Sequence, residues 1–578
     1  MASVAAAQRQ GREFRRLNKT LEEVRIIVRG GVYQLDRPLF FSPEDSGNDT
    51  RPTVIESAPN EWPVLSGGVV VKGWRKLTEE IAGLPASSKG QIWVAEAPLF
   101  DGKTVKFRQL WINEWKAVRA REPNGENMER IISWSPDKKE ICIPVAIGTV
   151  IRNLSGIEMT IIQQWTIAVL RINSVRVEAN EVCVTFHEPE SKIEFEHPSP
   201  KLTSKTAFFL ANAAAFLDKP GEWFQTPDGR ILYWPRSNED LTKAKVVIPA
   251  LDTLVQISGS LDRPVEHITF KGIKFSHTSW MRPSEFGYVA EQAGMYITNA
   301  YKPTPAGTPE DAKLDNQEWI ERPPAAVSAS GAHHIRFEHC RFEHLASAGL
   351  DFVSGTHDDV IEGCVFRDIG GNGIQIGSFQ DGHGVDNNIP YNPADERKIC
   401  TRERIANNLV TDCTNEDWGC VGITVGYGRD IVIEHNEINN LSYSGISLGW
   451  GWTSKPNAMR NNKIHANHIH NVVQRLTDGG GIYTLSSQPN TVISENYIHD
   501  ISPGQWAHNR GLWYYVYLDE GSNFMTVRDN WCPEEKFFKH QNGPNNKWDR
   551  NGPTVAKSIQ DNAGLETPFR DLLLDKTQ

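Results

Sequence analysis

Glu434-His435-Asn436-Glu437-Ile438, His465-Ala466-Asn467-His468-Ile469, Ser494-Glu495-Asn496-Tyr497-Ile498 and Arg528-Asp529-Asn530-Trp531-Cys532 are four copies of one five-residue phrase. Each carries asparagine in third place and an apolar residue in fifth. Glu338-His339-Cys340-Arg341-Phe342 and Glu362-Gly363-Cys364-Val365-Phe366 follow the same pattern with a thiol in place of the amide. The third-place residues stand at 340, 364, 408, 436, 467, 496 and 530, so the shortest spacing is 24 (364 minus 340) and the others are stretched by insertion. Short strands at a spacing that lengthens but never shrinks describe a coil whose turns bulge outward.

Downstream of several copies comes a second strand opened by glycine: Gly349-Leu350-Asp351-Phe352, Gly373-Ile374-Gln375-Ile376, Gly422-Ile423-Thr424-Val425, Gly445-Ile446-Ser447-Leu448 and Gly481-Ile482-Tyr483-Thr484. Alternation within a strand sends one side chain inward and the next outward. The inward places hold Ile, Val, Leu, Phe, Cys and Asn. An inward asparagine satisfies its buried amide by bonding the turn backbone and the asparagine of the next turn. The pattern predicts an all-β chain built on a right-handed parallel β-helix. A sandwich or a propeller gives no reason for asparagine to recur at one register beside β-branched residues.

Outward from the repeat, residues 1–23 form an N-terminal segment and 24–72 read as the first rungs, with strands at Val24–Val28, Thr53–Ile55 and Val69–Val71. From 73 to 250 the register is lost. That stretch reads as an inserted β-rich subdomain, barrel-like or sandwich-like, which caps or walls the coil. The main β-helix occupies 251–545, with excursions at about 281–330 and 378–403, and 546–578 is a C-terminal tail. Long excursions on a rigid scaffold are places for function.

The chain has 578 residues and a net charge of -11. Without a basic stripe to displace counterions, nucleic acid is not an expected partner. No apolar run approaches the roughly 18 residues of a membrane span, and residues 1–20 have no apolar leader core. A secreted or periplasmic enzyme whose leader lies outside this chain is expected, with a cytoplasmic one as the alternative. Eighteen tryptophans suit a carbohydrate partner, which binds flat apolar faces. The eight cysteines show no metal spacing. Cys340 and Cys364 read as buried hydrophobes, and Cys413 with Cys420 as a candidate pair. No cofactor is expected, a structural calcium being compatible with the sequence. Asp381, His383 and Asp386 are a weak metal set.

Chemistry is expected where Thr477-Asp478-Gly479-Gly480-Gly481-Ile482-Tyr483-Thr484 meets Tyr517-Leu518-Asp519-Glu520-Gly521-Ser522. Asp478 precedes a glycine-rich strand, and Asp519 ends the equivalent strand of the next turn. Rungs step by about 4.8 Å, so the two carboxylates can flank one sugar. Glycoside hydrolysis usually needs such a pair, one protonated and one ionised.

These two motifs, with Gly221-Glu222-Trp223, Trp234-Pro235 and Ser447-Leu448-Gly449-Trp450-Gly451-Trp452, resemble glycoside hydrolase family 141 and its β-helix relatives over roughly residues 24–545. The resemblance implies a glycosidase of α-L-fucosidase-like or xylanase-like activity on plant or algal glycans, with Asp478 and Asp519 catalytic. Around them Trp450, Trp452, Tyr483, Trp506, His508, Glu520, Glu416 and Asp417 are expected to bind substrate. Two other readings of the residues stay open. One is a calcium-dependent polysaccharide lyase or uronate epimerase using Arg475 or Arg510 as base. The other is a non-catalytic glycan-binding β-helix.

Overall fold

The computed structural model describes residues 3–17, 23–148, 151, 156–196, 199–300, 317–381, 384–386, 388–539 and 543–574. Its centre is a coil of three parallel sheets. The first sheet, of eleven strands, runs from Val24–Val28 to Lys547–Asp549; the second, of nine, from Gly31–Gln34 to Tyr497–His499; the third follows a path from Leu39–Phe41 to Phe537–Phe538. Within each, a strand pairs in parallel with the equivalent strand one turn later, as in Val432–Glu434 on Lys463–His465 and Glu437–Asn439 on His468–His470.

The five-residue phrase is the corner between the first and second sheets. Its second residue adopts a left-handed conformation in every copy: His339, Gly363, Asn407, His435, Ala466, Glu495 and Asp529 all have φ between 52° and 66°. Non-glycine residues are strained by about 1–2 kcal/mol there, and the residue that follows repays it. Asn408, Asn436, Asn467, Asn496 and Asn530 each donate Nδ2–H to the Oδ1 of the next rung's asparagine, ending on Asn551, at 2.8–3.0 Å. The same Oδ1 atoms accept the corner backbone N–H of the preceding rung. Upstream the slot passes to thiols: the Cys364 N–H donates to Asn408 Oδ1 and the Cys340 N–H to Cys364 Sγ. The apolar fifth places stack likewise, with Phe342 and Phe366 rings 4.6 Å apart and nearly parallel.

Two expectations are corrected here, and two minor candidates are placed. Val69–Val71 is not a rung: Gly68–Val71 pairs antiparallel with Val246–Pro249, so the entry and exit of the insertion are zipped together. The coil also runs past residue 545, because Lys547–Asp549 is its last first-sheet strand and Asn551 ends the ladder. Cys413 and Cys420 are free buried thiols, and the disulfide joins Cys142 to Cys183, directly opposed on antiparallel strands of the insertion. Finally, Asp381 is engaged by the Arg322 guanidinium rather than poised for a metal; His383 and the Asp386 side chain lie outside the described residues.

The first turn is covered. The helix Val4–Arg16 lays Val4 on the first turn of the core and is held by Arg12 on Asp45 at 2.7 Å, which blunts an open sheet end. The tail returns along the outside of the coil, with Phe569 stacked on His339.

The insertion is a set of mostly antiparallel sheets with its own apolar core. The excursion after 281 joins it: Tyr288–Gln292 pairs with Ile167–Val177, then with Met295–Ala300 and, through that strand, with Gln317–Glu321. Buried charge fastens it to the coil. Lys116 reaches Asp368 of the coil at 3.0 Å and Trp111 Nε1–H donates to Asp368 Oδ2 at 2.8 Å, while inside the insertion Arg108 and Arg119 both bond Glu158. Among the described residues no helix is long and apolar enough to cross a membrane.

Candidate active site

Asp478 and Asp519 stand at opposite ends of two paired third-sheet strands. Gly479–Thr484 lies on Trp513–Leu518 with Gly479 opposite Trp513 and Tyr483 opposite Tyr517. Asp478 precedes the first strand in a left-handed turn, φ 63°, a conformation aspartate tolerates better than most residues. Gly479 follows it because a Cβ there would lie 2.5 Å from the Tyr443 ring. With that space open, Tyr443 passes beneath the turn and donates its hydroxyl to the Asp478 carbonyl at 2.6 Å. Asp519 comes one residue after the second strand, whose Val516 and Leu518 are fully buried in the coil. Tyr483 and Tyr517 point the other way.

These tyrosines cross-link the pair. Tyr517 of the later rung donates to Asp478 Oδ1 at 2.7 Å, and Tyr483 of the earlier rung donates to Asp519 Oδ2 at 2.6 Å. Their rings meet edge to face at 5.1 Å. Each tyrosine therefore holds the aspartate of the other rung. A third donor comes from the insertion, where the turn between Glu158–Ile162 and Ile167–Val177 reaches over the coil. The Thr477 N–H donates to the Gln164 carbonyl, and Gln164 Nε2–H donates to Asp478 Oδ2 at 2.5 Å. Next in that turn, Trp165 is fixed by its Nε1–H on the Glu291 carbonyl.

The result is a cavity of about 330 Å³ with both aspartates and Glu520 on its wall. Tyr443, Tyr483 and Tyr517 line the coil side, Trp452 and Phe538 come from neighbouring turns, and Trp165 and Gln292 come from the insertion and the strand that joins it. Burial raises the carboxyl pKa values, as it must where the charged form loses water. Asp519 is pushed up to about 7 by burial first; the negative charges of Asp478 and Glu520 add to this, and the Tyr483 hydroxyl opposes it. Asp478 is also raised by burial, but two donors, Tyr517 and Gln164, pull it back. Glu520 is raised by burial and by Asp478.

Of the residues expected to surround the pair, Trp452, Tyr483 and Glu520 line the cavity. The others do not. Trp450 is 1% exposed, enclosed with Phe379 and Met459 in a core shared with the insertion, so it offers no face to a sugar. Glu416 accepts from Gln109 and pairs with Lys116, and Asp417 is buried under the Tyr288 hydroxyl; both fasten the insertion instead of extending an acidic cleft. Trp506 lines a separate hollow of about 170 Å³ with Glu126 and Arg475. His508 bonds Thr203. Gln164, Trp165 and Gln292 were missed because they sit more than 180 residues upstream of Asp478, in a stretch without repeat register. The proposed lyase bases are elsewhere: Arg475 pairs with Glu126 and covers the Trp418 ring, and Arg510 donates to the Pro503 carbonyl.

Comparison with known proteins agrees with this architecture. A family profile described as "GH141 insertion domain" matches residues 90–236, and one described as "Right handed beta helix region" matches 385–520. A solved structure described as "Glycoside hydrolase" is 44% identical, with a TM-score of 0.93 over 98% of this chain and 96% of its own. A second, XylC with xylose, is 11% identical over 92% of this chain and 81% of its own, with a TM-score of 0.40, too low to carry an argument. No curated protein matches the sequence. Fold and kinship define a glycosidase on a right-handed parallel β-helix. The chain belongs to the glycoside hydrolase family 141-like β-helix enzymes.

Proposed function

We propose that the enzyme removes terminal sugars from plant or algal glycans in the α-L-fucosidase-like manner, with Asp519 as general acid and Asp478 as the ionised nucleophile or base. One observation carries the assignment: the two carboxyls share a cavity and differ in their side-chain hydrogen bonds and neighbouring charge. Both oxygens of Asp478 accept hydrogen bonds, which favours the anion. Asp519 has a tyrosine on Oδ2 and a pKa raised to about 7 by burial, leaving Oδ1 to carry the proton that goes to the departing oxygen. A pair of carboxyls driven apart in this way is how one site supplies acid and base together.

Exo action is supported by the wall. Parts of the chain as distant as Trp165, Gln292, Trp452 and Phe538 meet around a volume at the small end of ligand pockets, about 300–1,000 Å³. The rings of Trp165, Trp452 and Phe538 suit the methyl face of a deoxy sugar. The Cys142–Cys183 bond suits an oxidising compartment and supports a secreted or periplasmic enzyme.

The test is product analysis on an aryl α-L-fucoside, fucosylated oligosaccharides and xylan, with and without chelator. Release of single sugars, undiminished by chelator, is expected. Internal shortening of xylan would replace the exo reading with a xylanase-like one. An unsaturated, near-ultraviolet-absorbing product lost in chelator would install the lyase.

A further inference from the structure

The outer face of the second sheet carries a row of side chains that the aspartate pocket does not use. Glu437, His468 and Tyr497 occupy one register across three successive rungs, and Asn439, His470 and His499 the next outward register. Glu437, 6% exposed at its side chain, holds both neighbours on one rung: Oε2 meets His468 Nδ1 at 2.8 Å and Oε1 meets His470 Nε2 at 2.8 Å. His468 then turns its Nε2 to His499 Nε2, again at 2.8 Å, and His499 Nδ1 meets Asp500 Oδ2 at 2.8 Å.

Neutral rings cannot satisfy this chain. A neutral imidazole has one N–H and one lone pair. If His499 gives its N–H to the Asp500 carboxylate, it shows a lone pair to His468, which must answer with its own N–H at Nε2. His468 Nδ1 is then a lone pair aimed at the Glu437 carboxylate. Two acceptors at hydrogen-bond distance need a cation between them. One added proton would serve, but the geometry offers more: donor atoms of Glu437, His468 and His470 all lie within 4.8 Å of one another.

We propose that Glu437, His468 Nδ1 and His470 Nε2 bind one divalent transition-metal ion of the zinc class, with water as a fourth ligand. Imidazole nitrogen and carboxylate are the ligands zinc takes, at about 2.0–2.2 Å. Such bonds place neighbouring ligands a little over 3 Å apart, so the 2.8 Å contacts need to open by only about half an ångström. Outside them, His468 Nε2–H donates to His499 and His499 to Asp500, the carboxylate-backed relay that orients metal-bound histidines. The ion fastens two rungs just before the turn that presents Asp478. It also pins the tail, since Gly564 packs so closely on His468 that a Cβ there would approach its Cβ to 2.9 Å.

The full-length protein, stripped with chelator and dialysed, is titrated with cobalt(II) and then zinc(II). One equivalent of cobalt should bind with visible ligand-field bands, be displaced by zinc, and raise the melting temperature. His468→Ala and His470→Ala should each weaken binding at least a hundredfold, and His499→Ala roughly 10–100-fold. His470→Gln keeps a polar side chain and guards against a mere folding defect; it should lose the bands and retain glycosidase turnover. Absence of stoichiometric binding, or binding that persists unchanged in His468→Ala/His470→Ala, would overturn the proposal and leave the row as a proton-sharing hydrogen-bond chain.

Discussion

Asp519 and Asp478 are the same residue type in one cavity, and what separates them is how neighbouring charge and hydrogen-bond donors are divided between them. Tyr483→Phe removes the donor that opposes protonation of Asp519, so the alkaline limb of the kcat/KM profile, expected near pH 7, should move to higher pH. Tyr517→Phe removes a donor from Asp478 and should move the acid limb upward. A pH–rate series on each variant checks both directions; a limb that moves down, or the wrong limb moving, contradicts the acid and base assignment. The same burial predicts a stability effect. The folded-state pKa of Asp519 lies above its unfolded value, so its contribution is most favourable below about pH 4 and is lost as pH rises towards 7. Asp519→Asn should therefore melt higher than the parent at pH 8, with the gain shrinking at pH 5. Both aspartates stood out in the sequence because each sits beside a glycine-edged apolar strand at equivalent places in consecutive repeats. Gln164, the third partner, carried no such mark: its role comes from a tertiary contact across 314 residues.

At the level of elements, the asparagine ladder was the legible part, since a buried amide recurring at one register has few structural explanations. The left-handed residue before it was less so, because His435, Ala466 and Glu495 share no chemistry; the strain is tolerated because the ladder holds the corner. Asn496→Ala leaves the Asn467 N–H and amide without their acceptor and the Ile464 carbonyl without its donor. At about 1–3 kcal/mol per orphaned buried group, it should cost about 3 kcal/mol or more in urea unfolding. An equal midpoint for parent and variant would mean that the ladder does not hold the coil. Trp450 shows where pattern reading stopped. Glycine–tryptophan alternation at Gly449–Trp452 says that both rings leave the coil interior, but not that the insertion covers one of them.

At the scale of the molecule, the coil supplies the carboxyls and the insertion completes their pocket. The repeat announced the coil; the loss of repeat announced only that something else was inserted, because an antiparallel sheet gets its partners from distant strands. Trp165 touches the cavity without touching either carboxyl in the described hydrogen bonds, so Trp165→Ala should raise KM about tenfold or more and lower kcat less, a split read from steady-state kinetics. The central claim is that Asp478 and Asp519 act in one step across two rungs, and its most direct measurement is the turnover of Asp478→Asn, Asp519→Asn and the double variant on the substrate found by product analysis. Each single change should lower kcat roughly a thousandfold, and the double variant should fall little further, as for groups that act as a unit. Near-parental turnover in either single variant, with the protein folded, would contradict the account.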